Sequence, residues 1–353
     1  MPCGDAVVNS RNLQRTVCRR HWLRAGACCQ FLDCSVQLEE HVRRGGLRVQ
    51  LQMITRRDAV RLLGSASAGA WLAAPRFGLN NLIAPNAFAL KHDSTPPLAS
   101  GAPSSPERLA LIEAFKKRSE GLQDKFEART HKSDWEMPYR LFRPTTSRRV
   151  PLVLYLHGSG GLGDDNLKQL AFGNIFGTRL WLLPENQKHF PCYVLAPQTD
   201  RGWIKYDFSQ QPAKELPGFG DGNRLALEIV DELRRELAVD ERRIYVAGNS
   251  MGGAGVWNML ANRPNFFAAA VTCCAGVSPD DGTGSPATPL WDFHGDADEV
   301  VPVSSSRERI AARRKAGGHP IYTEYPGVTH DDTTKLAFTE PALAEWVFSQ
   351  RRK

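Results

Sequence analysis

Short apolar runs recur along the last two thirds of the chain, and amphipathic segments separate them. The run Val150–Leu156 is continuously apolar, as expected of a strand that is covered on both faces. Runs of this kind, or shorter ones that alternate, predict strands at 139–142, 150–156, 192–197, 244–247, 267–271, 290–293 and 321–325.

The segments between these runs have the periodicity of helices. In the segment 225–237, the side chains of Leu225, Ile229, Val230 and Leu233 fall on one side. Similar patterns predict helices at 106–130, 253–262, 305–315 and 340–350. Because strands alternate with helices, we predict an α/β fold with a mostly parallel central sheet and helices on both faces.

The chain divides into a folded body and a front segment. Residues 106–353 show no internal repeat and no second boundary, so we expect a single domain there. Residues 90–105 are rich in Pro, Ser and Ala and are predicted to be a linker. Residues 1–52 have no clear period, and we expect them to be unstructured or an over-extended start.

Residues 53–89 resemble a twin-arginine export signal. Arg56-Arg57 precedes a mildly apolar stretch at 64–74, and Ala87-Phe88-Ala89 suits a signal peptidase. We therefore expect the twin-arginine machinery to export the protein to the periplasm or the outside of a bacterial cell. The alternative is a disordered basic tail. No stretch reaches the ~18 apolar residues of a spanning helix, so stable membrane insertion of the mature chain is not expected.

Charge and cysteine follow the same division. The chain has a net charge of +7, but residues 1–89 hold 12 Lys/Arg and five Asp/Glu, so the body is neutral. Binding to nucleic acid is therefore not expected. The body contains Cys192 and the pair Cys273-Cys274, which ends an apolar run and should be buried. A disulfide that involves Cys192 remains open.

The apolar run that ends at Ala247 leads into Gly248-Asn249-Ser250-Met251-Gly252, a Gly-x-Ser-x-Gly motif. A serine on a tight turn between a strand and a helix projects its hydroxyl where a base and a substrate can reach it. Ser250 is therefore a candidate nucleophile.

A serine hydroxyl needs a base, usually His, and a carboxylate that holds this His in one tautomer. In the order Ser, acid, His, the base must come late in the chain, which leaves His319 and His330. We favour His330, because it lies in a loop just past the carboxyl end of a predicted strand, where active sites of open α/β sheets form.

The acid should lie in the loop after the preceding strand, which contains three carboxylates. Asp298 is the preferred acid, and Asp296 and Glu299 are the alternatives. Any one of them could instead be a solvated loop residue.

A tetrahedral oxyanion needs preorganised N–H donors. The backbone of Met251 offers one, and the glycine-rich turn after Leu156 offers the second, from Ser159 or Gly160. His157 and His294 are predicted to be structural. Asp164-Asp165 could suggest a cation site, but exposed loop carboxylates are far commoner, so we assign neither a metal nor a cofactor.

Taken together, these motifs resemble the α/β-hydrolase superfamily, and within it the exported bacterial esterases of the phospholipase/carboxylesterase type, often labelled predicted peptidases. The resemblance covers roughly residues 135–350. Its motifs are 151–161, 194–198, 240–253, 291–303 and 322–330.

The resemblance implies Ser250 as nucleophile, Asp298 as acid and His330 as base. Asn249 and the acidic pair Asp331-Asp332 depart from the family pattern, and the pair should make His330 more basic. We therefore expect a serine hydrolase that cleaves small-molecule carboxylic esters through an acyl-enzyme. The alternatives are a serine peptidase of the same fold and a non-catalytic binding protein on a hydrolase fold.

Overall fold

The computed structural model describes residues 102–207, 214–276 and 285–353, which fall within one compact unit. This part of the chain contains ten strands. They are β1 Glu127–Lys132, β2 Glu136–Phe142, β3 Val150–Leu156, β4 Tyr193–Pro197, β5 Lys205–Asp207, β6 Lys214–Leu216, β7 Val239–Asn249, β8 Ala269–Cys273, β9 Leu290–Gly295 and β10 Ile321–Tyr325.

Eight of these strands form one sheet in the order β1-β2-β4-β3-β7-β8-β9-β10. Six neighbouring strands of this sheet run parallel to one another, namely β4, β3, β7, β8, β9 and β10, whereas β2 is antiparallel to both β1 and β4. The predicted fold class, a mostly parallel sheet, is confirmed. The carboxyl ends of the parallel strands meet at one edge, and that edge holds the candidate chemistry.

Helices cover both faces of the sheet. In the described residues they are α1 Pro106–Ser119, α2 Asn174–Arg179, α3 Pro184–His189, α4 Asp221–Glu236, α5 Met251–Asn262, α6 Ser304–Lys315, α7 His330–Phe338 and α8 Leu343–Ser349. Along β3, Val153 and Tyr155 join a core beneath α1, α7 and α8. Leu152 and Leu154 join a second core beneath α4 and α5. Alternation along buried strands therefore builds two apolar layers around one sheet.

The prediction of a helix from 106 to about 130 is wrong in its second half. The helix ends at Ser119, and Gly121 follows in the left-handed conformation, with φ at +74°, which α-helical residues do not adopt. A single 3-10 turn at Leu122–Lys125 then leads into β1. Most residues of β1 are exposed, so this edge strand lacks the apolar pattern that would have predicted it.

Two helices near the carboxyl terminus also differ from the prediction. His330 is the first residue of α7 and not part of a loop, and the last helix is three residues shorter at its start than predicted. The segment between Gly202 and Gly218 contains the hairpin β5–β6. Trp203, at its base, is fully buried and packs in the core.

A buried ion pair ties α1 to the carboxyl-terminal part of the fold. Arg108 Nη1 lies 2.8 Å from Glu340 Oε2, and both side chains are almost fully buried. The second nitrogen, Nη2, donates to the Tyr325 hydroxyl at 3.3 Å. A buried charge is tolerable only with such partners, so these contacts fix where α1 lies on the core.

The export signal at 53–89, the linker at 90–105 up to Gly101 and the segment 1–52 lie outside the described residues. Within the described ranges, no helix is long and apolar enough to cross a bilayer.

Candidate active site

Ser250 stands on the sharp turn between β7 and α5. Its φ is +53°, a backbone conformation that residues other than glycine avoid and that is typical of strained functional turns. Both glycines of the motif are needed for space. A Cβ at Gly252 would collide with the carbonyl oxygen of Leu156, and one at Gly248 with the carbonyl of Gly252. The backbone therefore folds tightly enough to present the Ser250 hydroxyl at the sheet edge.

The structure brings Ser250, His330 and Asp298 together from three separate strand ends. The Ser250 hydroxyl oxygen lies 2.9 Å from Nε2 of His330. On the other side of the ring, Nδ1 of His330 lies 2.7 Å from Oδ2 of Asp298. This order of contacts fixes the neutral tautomer, because the carboxylate accepts from Nδ1–H and leaves Nε2 free to accept from the hydroxyl.

The Asp298 side chain is buried and held on both oxygens. Its Oδ1 accepts from the amides of Val300 and Val301, each at 2.8 Å, which leaves Oδ2 for His330. Nε2 of the buried His294 lies 3.2 Å from the same Oδ2. His294 therefore supports the acid from behind.

Asp296, the alternative acid, has a different partner. Its Oδ1 accepts from the amide of Gly327 at 2.6 Å and so joins the loop after β9 to the loop before α7. His319, the alternative base, borders a separate cavity of about 1130 Å³ among residues that precede β8, β9 and β10. That cavity lies at the amino ends of the parallel strands, opposite the Ser250 edge.

The glycine-rich turn after β3 lies directly against the nucleophile. A Cβ built on Gly158 would be 3.4 Å from the Cβ of Ser250. One built on Gly160 would meet only the Phe172 ring, at 4.0 Å. The amides of Ser159 and Gly160 follow Gly158 in this turn and are the two predicted sources of the second oxyanion donor. On the other side, Met251 begins α5, where amides have no carbonyl within the helix.

The pKa of His330 is raised to about 9. Burial alone would lower this pKa, but the Cys274 thiol and the Asp298 carboxylate outweigh it. The pair Asp331-Asp332, which was expected to raise this pKa, is not among the main causes of the increase. Asp332 instead pairs with Lys335 at 2.6 Å. With a pKa of about 9, the ring is mostly protonated at neutral pH and becomes the neutral base as the pH rises toward that value.

Cys274 is the residue at this site that was not predicted. It follows β8 directly, and burial opposes its ionisation, but Cys273, His330 and Thr334 lower its pKa. Cys192, Cys273 and Cys274 are buried free thiols, so the part of the chain that the structure describes contains no disulfide at Cys192. The sequence does place Cys274 directly after a strand, at the end of the sheet that carries Ser250. The apolar run before it instead suggested an ordinary buried residue.

Two residues near Ser250 have structural partners. Asn249 accepts from the buried Tyr155 hydroxyl at 2.6 Å, which holds its side chain. His157 is fully buried. Its Nε2 accepts from the amide of Thr199 at 3.2 Å, and its backbone carbonyl accepts from the Trp203 indole at 2.9 Å. Burial lowers the pKa of His157 to about 4, so its ring stays neutral.

The site opens to solvent beside the imidazole. A cavity of about 230 Å³ is lined by Glu299, Val300, Thr329, His330 and Asp331. Phe172, which is 71% exposed, lies near the glycine turn.

The chain is similar to known esterases over part of its length. No family model matches it. The bifunctional acetylxylan esterase/xylanase XynS20E of Neocallimastix patriciarum is 24% identical over 151 residues, which is 43% of this chain and 20% of the relative. The chain thus spans only a fifth of that relative.

Among solved structures, a thermostable esterase is 34% identical, with a TM-score of 0.59 over 65% of this chain and 64% of that one. The S-formylglutathione hydrolase FrmB of Staphylococcus aureus is 15% identical, with a TM-score of 0.47 over 63% of this chain and 98% of that one. The first of these likenesses, together with the sheet order and the serine turn, shows that this protein has an α/β-hydrolase fold of the esterase type.

Proposed function

We propose that this protein is a serine hydrolase that cleaves small-molecule carboxylic esters. The observation that carries the proposal is the continuous chain of contacts from Ser250 Oγ through His330 to Asp298, at 2.9 and 2.7 Å. These are the distances at which a general base can take the proton of a nucleophile. The likeness to esterases supports the ester as the substrate class.

The first half of the reaction acylates the serine. His330 Nε2 takes the Ser250 proton as the oxygen attacks the ester carbonyl, and Asp298 stabilises the imidazolium that results. The amides of Met251 and of Ser159 or Gly160 hold the oxyanion. His330 then gives its proton to the leaving alkoxide, and the alcohol departs.

The second half regenerates the enzyme. A water molecule occupies the position of the departed alcohol, and His330 takes its proton while the water oxygen attacks the acyl carbon. The tetrahedral intermediate collapses, the acid is released, and Ser250 recovers its proton. Every proton passes through His330 on its way between Ser250, the leaving alkoxide and the water, so these steps need no cofactor.

The direct test is active-site labelling. A fluorophosphonate probe should modify the protein at Ser250, which peptide mapping would locate, and a chromogenic short-chain ester should be turned over. Ser250→Ala should lose the label and reduce kcat by about 10⁴- to 10⁶-fold. A label on any other residue would overturn the assignment.

The same assay separates the alternatives. Turnover of peptides but not esters would favour a serine peptidase. No turnover of either, in a folded protein, would favour a binding protein. Ser285→Ala is a matched control, because this buried serine bonds to Thr288 Oγ1 and does not contact the triad.

We also propose that the protein is exported through the twin-arginine route and acts in the periplasm or outside the cell. The support is the Arg56-Arg57 pair ahead of a mildly apolar stretch and a signal-peptidase site that ends at Ala89.

A further inference from the structure

We propose that Cys274, Asp298 and His330 form a binding site for a divalent cation of the Zn²⁺ class, and that metal bound there switches the enzyme off. The ester reaction does not use the Cys274 thiol, although it lies in the same cluster as the base and the acid. The proposal goes beyond the proposed hydrolysis, and binding of the metal does not depend on it.

The geometry of the three donors supports a metal. One ligand atom from each residue, namely the Cys274 sulfur, an Asp298 carboxylate oxygen and a His330 ring nitrogen, can be chosen so that all lie within 4.8 Å of one another. Zn²⁺ binds thiolate, imidazole and carboxylate at about 2.0–2.3 Å, so tetrahedral ligands lie roughly 3–4 Å apart. Nδ1 of His330 and Oδ2 of Asp298 are 2.7 Å apart, and one donor atom from each of the three residues lies within 4.8 Å of the others, so small side-chain movements reach that spacing.

The surrounding structure holds two of the ligands in place, as a metal site requires. The Cys274 amide donates to the Phe293 carbonyl at 2.8 Å, and its sulfur lies 3.5 Å from the Thr334 hydroxyl. Asp298 is fixed through Oδ1 by the two amides of the following turn. Its Oδ2 points into the cluster.

A cation can reach the cluster from solvent. The His330 side chain is 14% exposed and borders the cavity of about 230 Å³. Glu299 and Asp331 line this cavity, so its entrance carries acidic groups that attract cations and repel anions.

Binding at this position must compete with catalysis. The His330 imidazole now bridges Asp298 and Ser250, and each ring nitrogen is engaged in one of the two contacts. A metal on either nitrogen displaces one of these contacts. It removes either the carboxylate that orients the ring or the acceptor of the serine proton. Inhibition should therefore be complete at saturation and reversible by a chelator.

The test uses the full chain after treatment with chelator and buffer exchange. Co²⁺, which occupies Zn²⁺ sites and absorbs light, should give a thiolate-to-metal charge-transfer band in the wild type that Cys274→Ala lacks. Cys192→Ala is the matched control, because Cys192 is also buried and free but lies against Gln187. The cysteines before residue 102 are common to all three proteins, so they cancel in the comparison.

The functional arm titrates Zn²⁺ against ester turnover, with each protein compared to its own metal-free rate. Wild type and Cys192→Ala should be inhibited alike. Cys274→Ala should need at least about tenfold more Zn²⁺, since changes in supporting groups alone cost that much. If Cys274→Ala does not fold, Cys274→Ser serves in the same comparison, because it also lacks the thiolate.

The two proposals fail separately. Equal Co²⁺ spectra in wild type and Cys274→Ala would overturn the metal site, whatever the esterase activity. Absence of ester turnover would overturn the proposed function, whereas the spectrum, which needs no turnover, would still decide the site. Equal Zn²⁺ inhibition of wild type and Cys274→Ala would overturn the switch.

Discussion

At the scale of single residues, the active site depends on neighbours that cannot move aside. Gly158 lies against the Asn249 side chain, which the buried Tyr155 hydroxyl holds at 2.6 Å. Ser250 itself keeps a strained backbone because its amide donates to the Cys273 carbonyl at 2.9 Å and its own carbonyl accepts from Gly276. Adding even one methyl group here should therefore move the oxyanion turn and Ser250 out of alignment.

Gly158→Ala should reduce kcat by about 100-fold, the cost of a misplacement of about 1 Å. The new Cβ would lie 2.9 Å from Asn249 Nδ2, closer than side chains tolerate, and would push the oxyanion turn away from Ser250. Steady-state kinetics on a chromogenic ester would measure the change.

Gly173→Ala is the control for this variant, because nothing lies within 4 Å of a Cβ at that glycine. If Gly158→Ala kept the wild-type kcat, the turn would not contribute to the oxyanion site.

The pH dependence should reflect the environment of His330. The base must be neutral to accept the serine proton, and its pKa is raised to about 9. We therefore expect kcat/KM for an uncharged ester to fall as the pH drops through the alkaline range, well above the usual 6.5 of histidine. Cys274→Ala should move this fall to lower pH, since the thiol is one cause of the shift.

Cys192→Ala should leave the pH profile where it is. A wild-type limb near 6.5, or one that Cys274→Ala does not move, would contradict the influence of the thiol on the base.

The residues of the triad could be predicted because their places follow from chain order and strand ends. Ser250, Asp298 and His330 each come directly after or near the carboxyl end of a strand of the parallel sheet. Cys274 and the supporting role of His294 could not be predicted, because they depend on where side chains point at the ends of two strands. The sequence shows only that these strands are apolar. Direction is set by tertiary packing.

At the scale of elements, buried strands were easier to predict than edges and helix starts. β3 and β10 have their predicted bounds, and for β3 the reason is a continuous apolar run that is buried along its whole length. β1 was missed because its exposed side chains carry no period. α7 was missed because its amino-terminal turn, which begins at His330, contains the polar residues Asp331 and Asp332.

The position of α1 should depend on its buried ion pair. Arg108→Ala should lower the free energy of unfolding by about 3–5 kcal/mol, because it leaves the Glu340 carboxylate buried without its guanidinium partner. Denaturant unfolding followed by circular dichroism would measure this loss.

Lys116→Ala in the same helix is the control. It removes an exposed pair with Glu113 at 2.7 Å, which should cost less than about 1 kcal/mol. Equal losses from Arg108→Ala and Lys116→Ala would mean that burial adds nothing to the Arg108 contact.

At the scale of the whole molecule, the alternation of strands and helices was enough to predict the layered α/β architecture. The antiparallel start, β1 and β2, could not be predicted from that alternation, because no helix separates the two strands.

Export is the prediction that belongs to the full chain. Replacing Arg56 and Arg57 by lysine should leave the protein in the cytoplasm, because the twin-arginine machinery reads the arginine pair. Cell fractionation would measure this, and amino-terminal sequencing of the exported wild type should begin at Leu90. Arg61→Lys, a nearby arginine outside the pair, should be exported normally. An exported chain that still begins at Met1 would contradict processing.

The outermost strand, β1, has a consequence for behaviour at high concentration. Glu127, Arg129 and Lys132 place charges of both signs along this border of the sheet, where β1 is the last strand among the described residues. Arg129 also pairs with Glu236 at 2.9 Å. An incoming strand from a second molecule would have to desolvate these charges before it could pair. Crowded solutions of the folded protein should therefore resist fibrillar stacking along this side.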